Sequence, residues 1–277
     1  MLKVARALLN MTLDPFRHLR RILSDEEYRQ YWLLWAEFGR TPRFTLKEVK
    51  CRGWNLSVPD AASFLSSYRE IFLDRTYDFR VEKDDPRILD LGANIGLSVL
   101  FFKSIYPNAH VTAFEVDPKI FEVLRQNVHG NGFTDVDLVN GAAWWRNETV
   151  RFVPEGGDGG RLGTGDEQGG IAVNGIDLSE YLENREFEFL KVDIEGAEGA
   201  VLRKCRRHLA KFRFIFVEYH SLANEPQSLG EIVTLLTDAG FRLDVWSEHR
   251  SASPFLGRRG PGVFDLQLDI FARRNPC

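Results

Sequence analysis

Residues 88–96 read ILDLGANIG, and this stretch decides the fold. An apolar run that contains Asp90 stops at Gly92, and a second glycine, Gly96, opens a segment of helical periodicity that extends to about residue 106. The pattern predicts a buried strand, a sharp turn and a helix. Glycine is needed where a backbone turns tightly or approaches a ligand without an intervening Cβ. Because the carboxyl ends of the strands in an open parallel sheet form its ligand site, this turn is the first candidate binding element.

Short apolar runs and helical segments alternate along the rest of the chain. The runs are HVTAFEV, VDLVNGAAW, FEFLKVDIEG and FRFIFVEY, with helical patterns over 118–130, 197–209 and 228–239. This alternation predicts an α/β domain with a mostly parallel sheet and helices on both faces. Two final runs, FRLDVW and DLQLDIFA, have no helix between them and therefore predict a terminal antiparallel hairpin.

Residues 1–67 precede this alternation, and we expect them to form an extension to a main domain over 68–277. The predicted elements of this region are a helix over 24–39 that starts with a Ser24/Glu27 capping box, two strands within 44–58 that turn at Arg52-Gly53, and a helix over 60–73. Its large aromatic residues are expected to serve core packing or a dimer contact rather than catalysis; they are Trp32, Trp35, Trp54 and Tyr68.

The composition is that of a globular protein. The 277 residues are 44% hydrophobic and 27% charged, and the net charge of -4 argues against a dedicated nucleic-acid-binding protein. No run of about 18 uncharged apolar residues occurs, so the sequence predicts no membrane-spanning helix. The three cysteines match no metal-ligand spacing, which predicts reduced thiols in a cytoplasmic protein.

The first 23 residues are basic and amphipathic. They carry five Lys and Arg residues against the single acid Asp14, with apolar residues at roughly helical spacing. Arg6 interrupts the apolar stretch and no small-residue cleavage site follows, which argues against a signal peptide. The apolar face of this helix could pack on the main domain, contact a second copy in a homodimer, or lie on an anionic membrane surface.

Residues 154–170, PEGGDGGRLGTGDEQGG, interrupt the alternation. This segment holds 8 of the 23 glycines and almost nothing apolar, which predicts a surface loop of low stability. Two interpretations stay open for it. It is either the tip of a hairpin or a lid that becomes ordered over substrate.

Three elements at successive strand ends indicate the cofactor. Gly92 and Gly96 are four residues apart with Asn94 between them, which is not the dinucleotide pattern G-x-G-x-x-G. Asp90 at a strand end suits a ligand with a cationic amine, and Glu115 at the next strand end suits the two hydroxyls of a ribose. The small residues around Ala142 leave room for an adenine ring. In this order, the elements fit S-adenosyl-L-methionine better than NAD.

The strings LDLGANIG, FEVDP (114–118) and KVDIEGAE (191–198) resemble the FkbM family of S-adenosylmethionine-dependent methyltransferases, over about residues 68–245. The resemblance implies a class I methyltransferase fold with a seven-stranded sheet, and O-methylation of a hydroxyl on a sugar, glycan or natural product. Val116 and Asp117 separate Glu115 from the proline, so either Glu115 or Asp117 could face the ribose, and the strand alternation favours Glu115. By position, the resemblance assigns cofactor binding to Asp90, Gly92, Asn94, Gly96 and Glu115, and we add Val116 and Ala142.

The reacting group should lie where the strand FEFLKVDI meets its helix, beside the first strand. Asp193 and Glu195 lie there, and His220 ends the neighbouring strand. Methyl transfer is an in-line displacement in which a base near the hydroxyl helps as the proton leaves, so these three residues are the catalytic candidates. His220 is the expected base, with an ordinary pKa near ~6.5. Together with Glu218, the same residues could instead bind a divalent metal ion. Glu198 is the acid most expected to serve structure alone, at a helix N-terminus.

Two other classes of function remain as alternatives. An NAD-dependent oxidoreductase shares such a sheet but requires the glycine pattern that this chain lacks. A non-catalytic binding module with the methyltransferase fold is disfavoured because the cofactor residues, Asp193 and His220 are all present.

Overall fold

The computed structural model describes residues 16–154, 160–163, 170–223, 225–247, 254–256 and 264–274. The chain forms two compact units, Met1–Thr76 and Tyr77–Cys277. The boundary expected at 67/68 falls inside a continuous helical segment, because helix α2 (Ala61–Tyr68) runs directly into a π-helical turn, Arg69–Leu73. Phe72 of that turn is buried, and its ring lies 4.9 Å from the ring of Tyr68. The turn therefore belongs to the first unit.

Helix α1 (Glu26–Phe38) begins one residue later than the capping pattern predicts. Asp25 is the N-cap in place of Ser24, because its carboxylate accepts a hydrogen bond from the Tyr28 amide at 3.0 Å. Residues 16–24 are also helical, and Phe16, Leu19 and Leu23 in them are more than half exposed. Residues 1–15, which carry the rest of the predicted amphipathic helix, lie outside the described residues.

The predicted hairpin of the first unit is confirmed. Strands β1 (Lys47–Cys51) and β2 (Trp54–Val58) pair antiparallel, and Arg52 and Gly53 between them both adopt positive φ. Of the four aromatic residues expected to pack, Tyr68 is fully buried and the Trp54 ring lies against Phe72, whereas Trp35 is 45% exposed.

The second unit contains the predicted seven-stranded sheet. Its five parallel strands are β3 (Arg87–Leu91), β4 (His110–Glu115), β5 (Asp137–Asn140), β10 (Phe189–Val192) and β11 (Phe214–Leu222). Strand β13 (Phe264–Arg273) pairs antiparallel with both β11 and β12 (Arg242–Trp246), which confirms the terminal hairpin. The strand order is β12-β13-β11-β10-β3-β4-β5, so β3, the strand before the glycine turn, lies beside β10.

Helices connect the parallel strands, as the alternation predicts. They are α3 (Leu97–Ile105), α4 (Pro118–His129), α5 (Leu178–Tyr181), α6 (Glu198–Lys204), α7 (Arg206–Leu209) and α8 (Leu229–Asp238). The helix expected over 197–209 is divided at Cys205 into α6 and α7. No helix among the described residues has the length and apolar character that crossing a membrane would require.

A four-stranded sheet completes the unit, and its strands in spatial order are β6 (Ala142–Trp144), β9 (Ile171–Asp177), β7 (Glu148–Val153) and β8 (Arg161–Gly163). The run VDLVNGAAW, expected as one strand, changes sheets at Gly141, because β5 ends at Asn140 and β6 (Ala142–Trp144) pairs with β9 (Ile171–Asp177). Within the predicted loop 154–170, a short strand β8 (Arg161–Gly163) pairs with β7 (Glu148–Val153). Residues 155–159 and 164–169 lie outside the described residues, so the lid interpretation is left as a prediction.

Candidate active site

The glycine turn after β3 is built for close backbone contact. Gly92 and Gly96 have φ of 85° and 95°, and Asn94 between them also has a positive φ of 48°. A Cβ at Gly92 would lie 1.8 Å from the backbone oxygen of Asp193, so no larger residue fits there. The amides of Gly92 and Ala93 both donate to the carbonyl of Phe114, which fixes the turn against the end of β4.

Direct binding of the cofactor's amine by Asp90 would require an exposed carboxylate, but the structure buries this side chain. Asp90 is fully buried on β3, where it accepts a hydrogen bond from the Ser98 hydroxyl at 2.5 Å. Its other oxygen lies 3.5 Å from Nζ of Lys191 on the neighbouring strand. Asp90 therefore contacts the glycine turn indirectly, through Lys191, and its carboxylate does not face the solvent.

Lys191 is the residue of this site that the sequence reasoning overlooked. Its ammonium donates to the Gly92 carbonyl at 2.8 Å and to the Asp193 carboxylate at 3.1 Å. Burial acts against the positive charge, but Asp193 and Asp90 outweigh it and raise the pKa of Lys191 above its usual range. A lysine within the apolar run FEFLKVDI was the available signal, because a buried lysine requires anionic partners.

Glu115 and Asp117, the two acids that the sequence leaves as alternatives for facing the ribose, make different contacts in the structure. Glu115 lies at the end of β4, and its carboxylate accepts hydrogen bonds from the amides of Asn94 at 2.9 Å and Asp117 at 2.8 Å. The Asp117 side chain instead caps α4 by accepting from the Lys119 amide at 2.8 Å. Burial raises the pKa of Glu115 to about 7, although both amide bonds favour its ionised form.

The third strand end lies next to Glu115. The Asn140 side chain donates to the carbonyl of Glu115 at 2.9 Å, and the Gly141 amide donates to the same oxygen. Val116 is partly exposed beside it, whereas Ala142 is 3% exposed. The structure thus brings Asn94, Glu115, Val116 and Asn140 together at the carboxyl edge of the sheet and places Ala142 beneath the surface.

Acidic residues gather around His220 at the end of β11. One ligand atom each of Asp193, Glu195 and His220 can be chosen so that all three lie within 4.8 Å of one another. His220 Nε2 lies 3.4 Å from the carboxylate of Glu218 and 3.7 Å from that of Glu195. The three catalytic candidates and Glu218 therefore occupy one site, beside the glycine turn.

The surroundings of His220 raise the pKa of its imidazole above the ordinary value expected from the sequence. Burial disfavours its charge, but hydrogen bonds with Glu198 and Glu218 and the charge of Glu195 outweigh burial and raise the pKa of His220 to about 12. In the ligand-free site the imidazole therefore holds its proton at neutral pH. An imidazole that is already protonated cannot accept the proton of a hydroxyl.

The carboxylates of the site are desolvated. Burial and the charge of Glu218 raise the pKa of Asp193. Burial likewise raises the pKa of Glu195 to about 9, against the effect of His220. Groups with pKa values raised towards neutrality by burial and like charges are frequent where proteins transfer protons.

Glu198 contacts His220 directly, whereas the sequence predicts for it only a structural role at a helix N-terminus. It is fully buried, and its carboxylate lies 3.1 Å from Nδ1 of His220 and accepts the Gly196 amide at 2.9 Å. Glu195 and Gly196 both have positive φ, 55° and 105°, in the turn that leads into α6. This turn directs Glu195 and Glu198 to opposite nitrogens of one imidazole.

Comparison with known proteins identifies the family. Residues 90–243 match the model of the methyltransferase FkbM domain. The chain is 31% identical over 222 residues to 31-O-demethyl-FK506 methyltransferase FkbM of Streptomyces tacrolimicus, covering 65% of this chain and 82% of that protein. It is 30% identical over 213 residues to methyltransferase sdnD of Sordaria araneosa, covering 63% and 80%. It is also 30% identical over 161 residues to 2-O-methyltransferase NoeI of Sinorhizobium fredii, covering 50% and 65%. The chain belongs to the FkbM family of methyltransferases.

Proposed function

We propose that the protein transfers the methyl group of S-adenosyl-L-methionine to a hydroxyl oxygen of a sugar, glycan or natural product. The single observation that carries the proposal is the contact between the two turns. The glycine turn after β3 lies against the Asp193 turn after β10, because these strands are parallel neighbours and Gly92 abuts Asp193. Support for oxygen as the acceptor comes from the names of two relatives, a 2-O-methyltransferase and a 31-O-demethyl-FK506 methyltransferase.

The cofactor residues have distinct proposed roles. Glu115 accepts the ribose hydroxyls, while the backbone of Gly92, Asn94 and Gly96 lies along the methionine portion. Val116, which is partly exposed, borders the adenine, and Ala142 packs beneath that surface. Asp90 acts indirectly, since it holds Lys191 beneath the Gly92 carbonyl.

The reaction needs positioning and a proton acceptor. The hydroxyl oxygen forms a bond to the methyl carbon while the carbon–sulfur bond breaks, and S-adenosylhomocysteine leaves. The proton of the hydroxyl passes to the carboxylate of Asp193, which we favour over His220 and Glu195 because both of these hold a proton at neutral pH. The raised pKa of Asp193 makes its carboxylate a better proton acceptor than an ordinary aspartate.

A divalent metal ion is the second candidate for activating the hydroxyl. The observation that favours it is the convergence of Asp193, Glu195 and His220 within 4.8 Å. A bound cation would stabilise the developing alkoxide and lower the pKa of the hydroxyl.

We also propose a cytoplasmic location, since Cys51 and Cys205 are buried free thiols.

The experiment that tests the proposal is transfer of labelled methyl groups from S-adenosyl-[methyl-³H]methionine to pools of glycans and small metabolites. The expected product is a methyl ether, which keeps its label under mild alkali, whereas a methyl ester would lose it. Label only in esters or on nitrogen would refute the hydroxyl acceptor. Label in no fraction from hydroxyl-rich pools would count against methyl transfer to this class of acceptor.

A further inference from the structure

We propose that Asp193, Glu195 and His220 bind one divalent cation, and that the acceptor's hydroxyl oxygen is a further ligand of this cation. The inference rests on the methyl transfer proposed above, and it names what holds the acceptor. Asp193 and Glu195 follow β10, and His220 lies near the end of β11; these parallel strands are adjacent, so their carboxyl ends lie at the same edge of the sheet. Two carboxylates and one imidazole are ligand types that divalent metals accept together.

The distances fit a cation after a small inward movement. An octahedral ion with ligand bonds of about 2.1 Å holds neighbouring ligand atoms about 3 Å apart and opposite ones about 4.2 Å apart. The three ligand atoms here lie within 4.8 Å of one another. The side chains of Asp193 and Glu195 are 24% and 19% exposed, so neither is fully enclosed by the surrounding residues.

The orientation of His220 is an independent argument for the site. Its side chain is 3% exposed, and Nδ1 is held by the buried carboxylate of Glu198 at 3.1 Å. Nε2 is thereby aimed at the carboxylates of Glu195 and Glu218. Metal-binding histidines commonly pair their second nitrogen with a carboxylate, which fixes the tautomer and the ring orientation. Glu198 has the position of that supporting carboxylate.

The net negative charge of the residues around His220 also favours the binding of a cation. Four carboxylates meet here with the ammonium of Lys191, so even a protonated His220 leaves an excess of negative charge; the acids are Asp193, Glu195, Glu198 and Glu218. Uncompensated charge in a desolvated site is unfavourable. Protonation of the carboxylates is one way to relieve this, and binding a dication is the other. The sulfonium of the cofactor supplies only a single positive charge.

Three protein ligands leave positions for the acceptor. An octahedral ion retains about three coordination sites, which water or acceptor oxygens fill. A hydroxyl bound to the ion becomes more acidic and is fixed in front of the methyl group. The cation binds and orients the hydroxyl. Because Asp193 and Glu195 are then its ligands, the proton passes instead to Glu218, whose carboxylate lies 3.4 Å from Nε2 of His220.

The test uses the full chain after treatment with chelator, with Mn²⁺ as the probe. Titration followed by electron paramagnetic resonance should show one saturable Mn²⁺ site per chain, and its pulsed spectrum should show nitrogen coupling from a single imidazole. Glu195→Gln and His220→Gln should weaken Mn²⁺ binding at least about tenfold, and Glu198→Gln should weaken it by about 10- to 100-fold. The matched control is Glu122→Gln, an exposed acid on α4 that should bind Mn²⁺ as the wild type does.

The electron paramagnetic resonance spectrum of Mn²⁺ bound to the wild type tests the inference even if a variant fails to fold. Absence of saturable binding at millimolar Mn²⁺, or bound Mn²⁺ without imidazole nitrogen coupling, would overturn the inference. Methyl transfer that continues in excess chelator would also overturn it while leaving the proposed function intact. Mn²⁺ binding at this site in a protein that does not bind S-adenosylhomocysteine would have the opposite meaning, because the cation site would stand and the proposed function would fail.

Discussion

Gly92 passes so close to Asp193 that a Cβ on the glycine would lie 1.8 Å from the aspartate's backbone oxygen. This contact joins the turn proposed to bind the cofactor with the turn that carries the proposed catalytic carboxylates. Lys191 strengthens the same junction, since its ammonium binds the Gly92 carbonyl and the Asp193 carboxylate. The position of the methyl group relative to the acceptor therefore depends on a few contacts between β3 and β10.

The first prediction concerns this junction. Gly92→Ala should destabilise the protein and abolish measurable cofactor binding, because the new Cβ forces the two turns apart. Gly132→Ala is the matched control: its φ of 90° is equally unfavourable for alanine, but nothing lies within 4 Å of the added Cβ. The control should lose only about 1–2 kcal/mol of the free energy of unfolding. Thermal unfolding and calorimetric binding of S-adenosylhomocysteine measure both effects, and equal behaviour of the two variants would contradict the argument.

The second prediction separates the two acids after β4. Glu115→Gln should weaken S-adenosylhomocysteine binding by about 10- to 100-fold, the loss expected for hydrogen bonds to a charged group. Asp117→Ala should instead remove the cap of α4 and reduce stability by about 1 kcal/mol. Its cofactor affinity should change little. Loss of affinity in Asp117→Ala alone would reverse the assignment.

The third prediction is a pH dependence of cofactor affinity. The pKa of Glu115 is raised to about 7, chiefly by burial. The hydrogen bonds that we propose from the ribose hydroxyls are strongest to the ionised carboxylate. Affinity should therefore increase by up to about tenfold per pH unit as the pH rises towards 7, and level off above it. In Glu115→Gln the slope should disappear.

Glu115 should affect the stability of the protein without cofactor in the opposite direction: the free energy of unfolding should fall as the pH rises. Between the ordinary pKa of 4.5 and about 7, the folded state holds the proton of Glu115 and the unfolded chain has released it. The contribution of this group to stability is thus present below pH 4.5 and is lost as the pH rises through 7. A cofactor affinity independent of pH would mean that Glu115 does not contact the ribose.

The fourth prediction concerns the rate profile. His220 is surrounded by carboxylates that raise its pKa to about 12, so kcat should show no step near the ordinary imidazole value of ~6.5. The measurement is kcat against pH for the wild type and His220→Gln. A single step near 6.5 that disappears in His220→Gln would restore the imidazole as the base.

The sheet could be predicted from sequence because its determinants are local. Apolar runs, glycine turns and helical periodicity each lie within a few residues, and strand ends in a parallel sheet necessarily meet at one edge. Glu115 and Asp193 were placed at that edge for this reason. The change of sheet at Gly141 could not be predicted, because it depends on pairing with β9, more than thirty residues later.

The electrostatics of the site depend on tertiary contacts and escaped prediction. The charge state of His220 is set by Glu195 and Glu198, which precede it by more than twenty residues. Similarly, Asp90 at a strand end gave no sign of full burial, since its partner Lys191 is on a strand a hundred residues away. The burial of a side chain, unlike the position of a strand, depends on residues from distant parts of the chain that pack against it.

The most direct test of the account is calorimetric titration of the purified chain with S-adenosylhomocysteine and, separately, with NAD. We predict saturable binding of one S-adenosylhomocysteine per chain, loss of that binding in Gly92→Ala, retention in Gly132→Ala, and no heat from NAD. Binding of NAD with no response to S-adenosylhomocysteine would contradict the assignment of the glycine turn and of Glu115 to this cofactor.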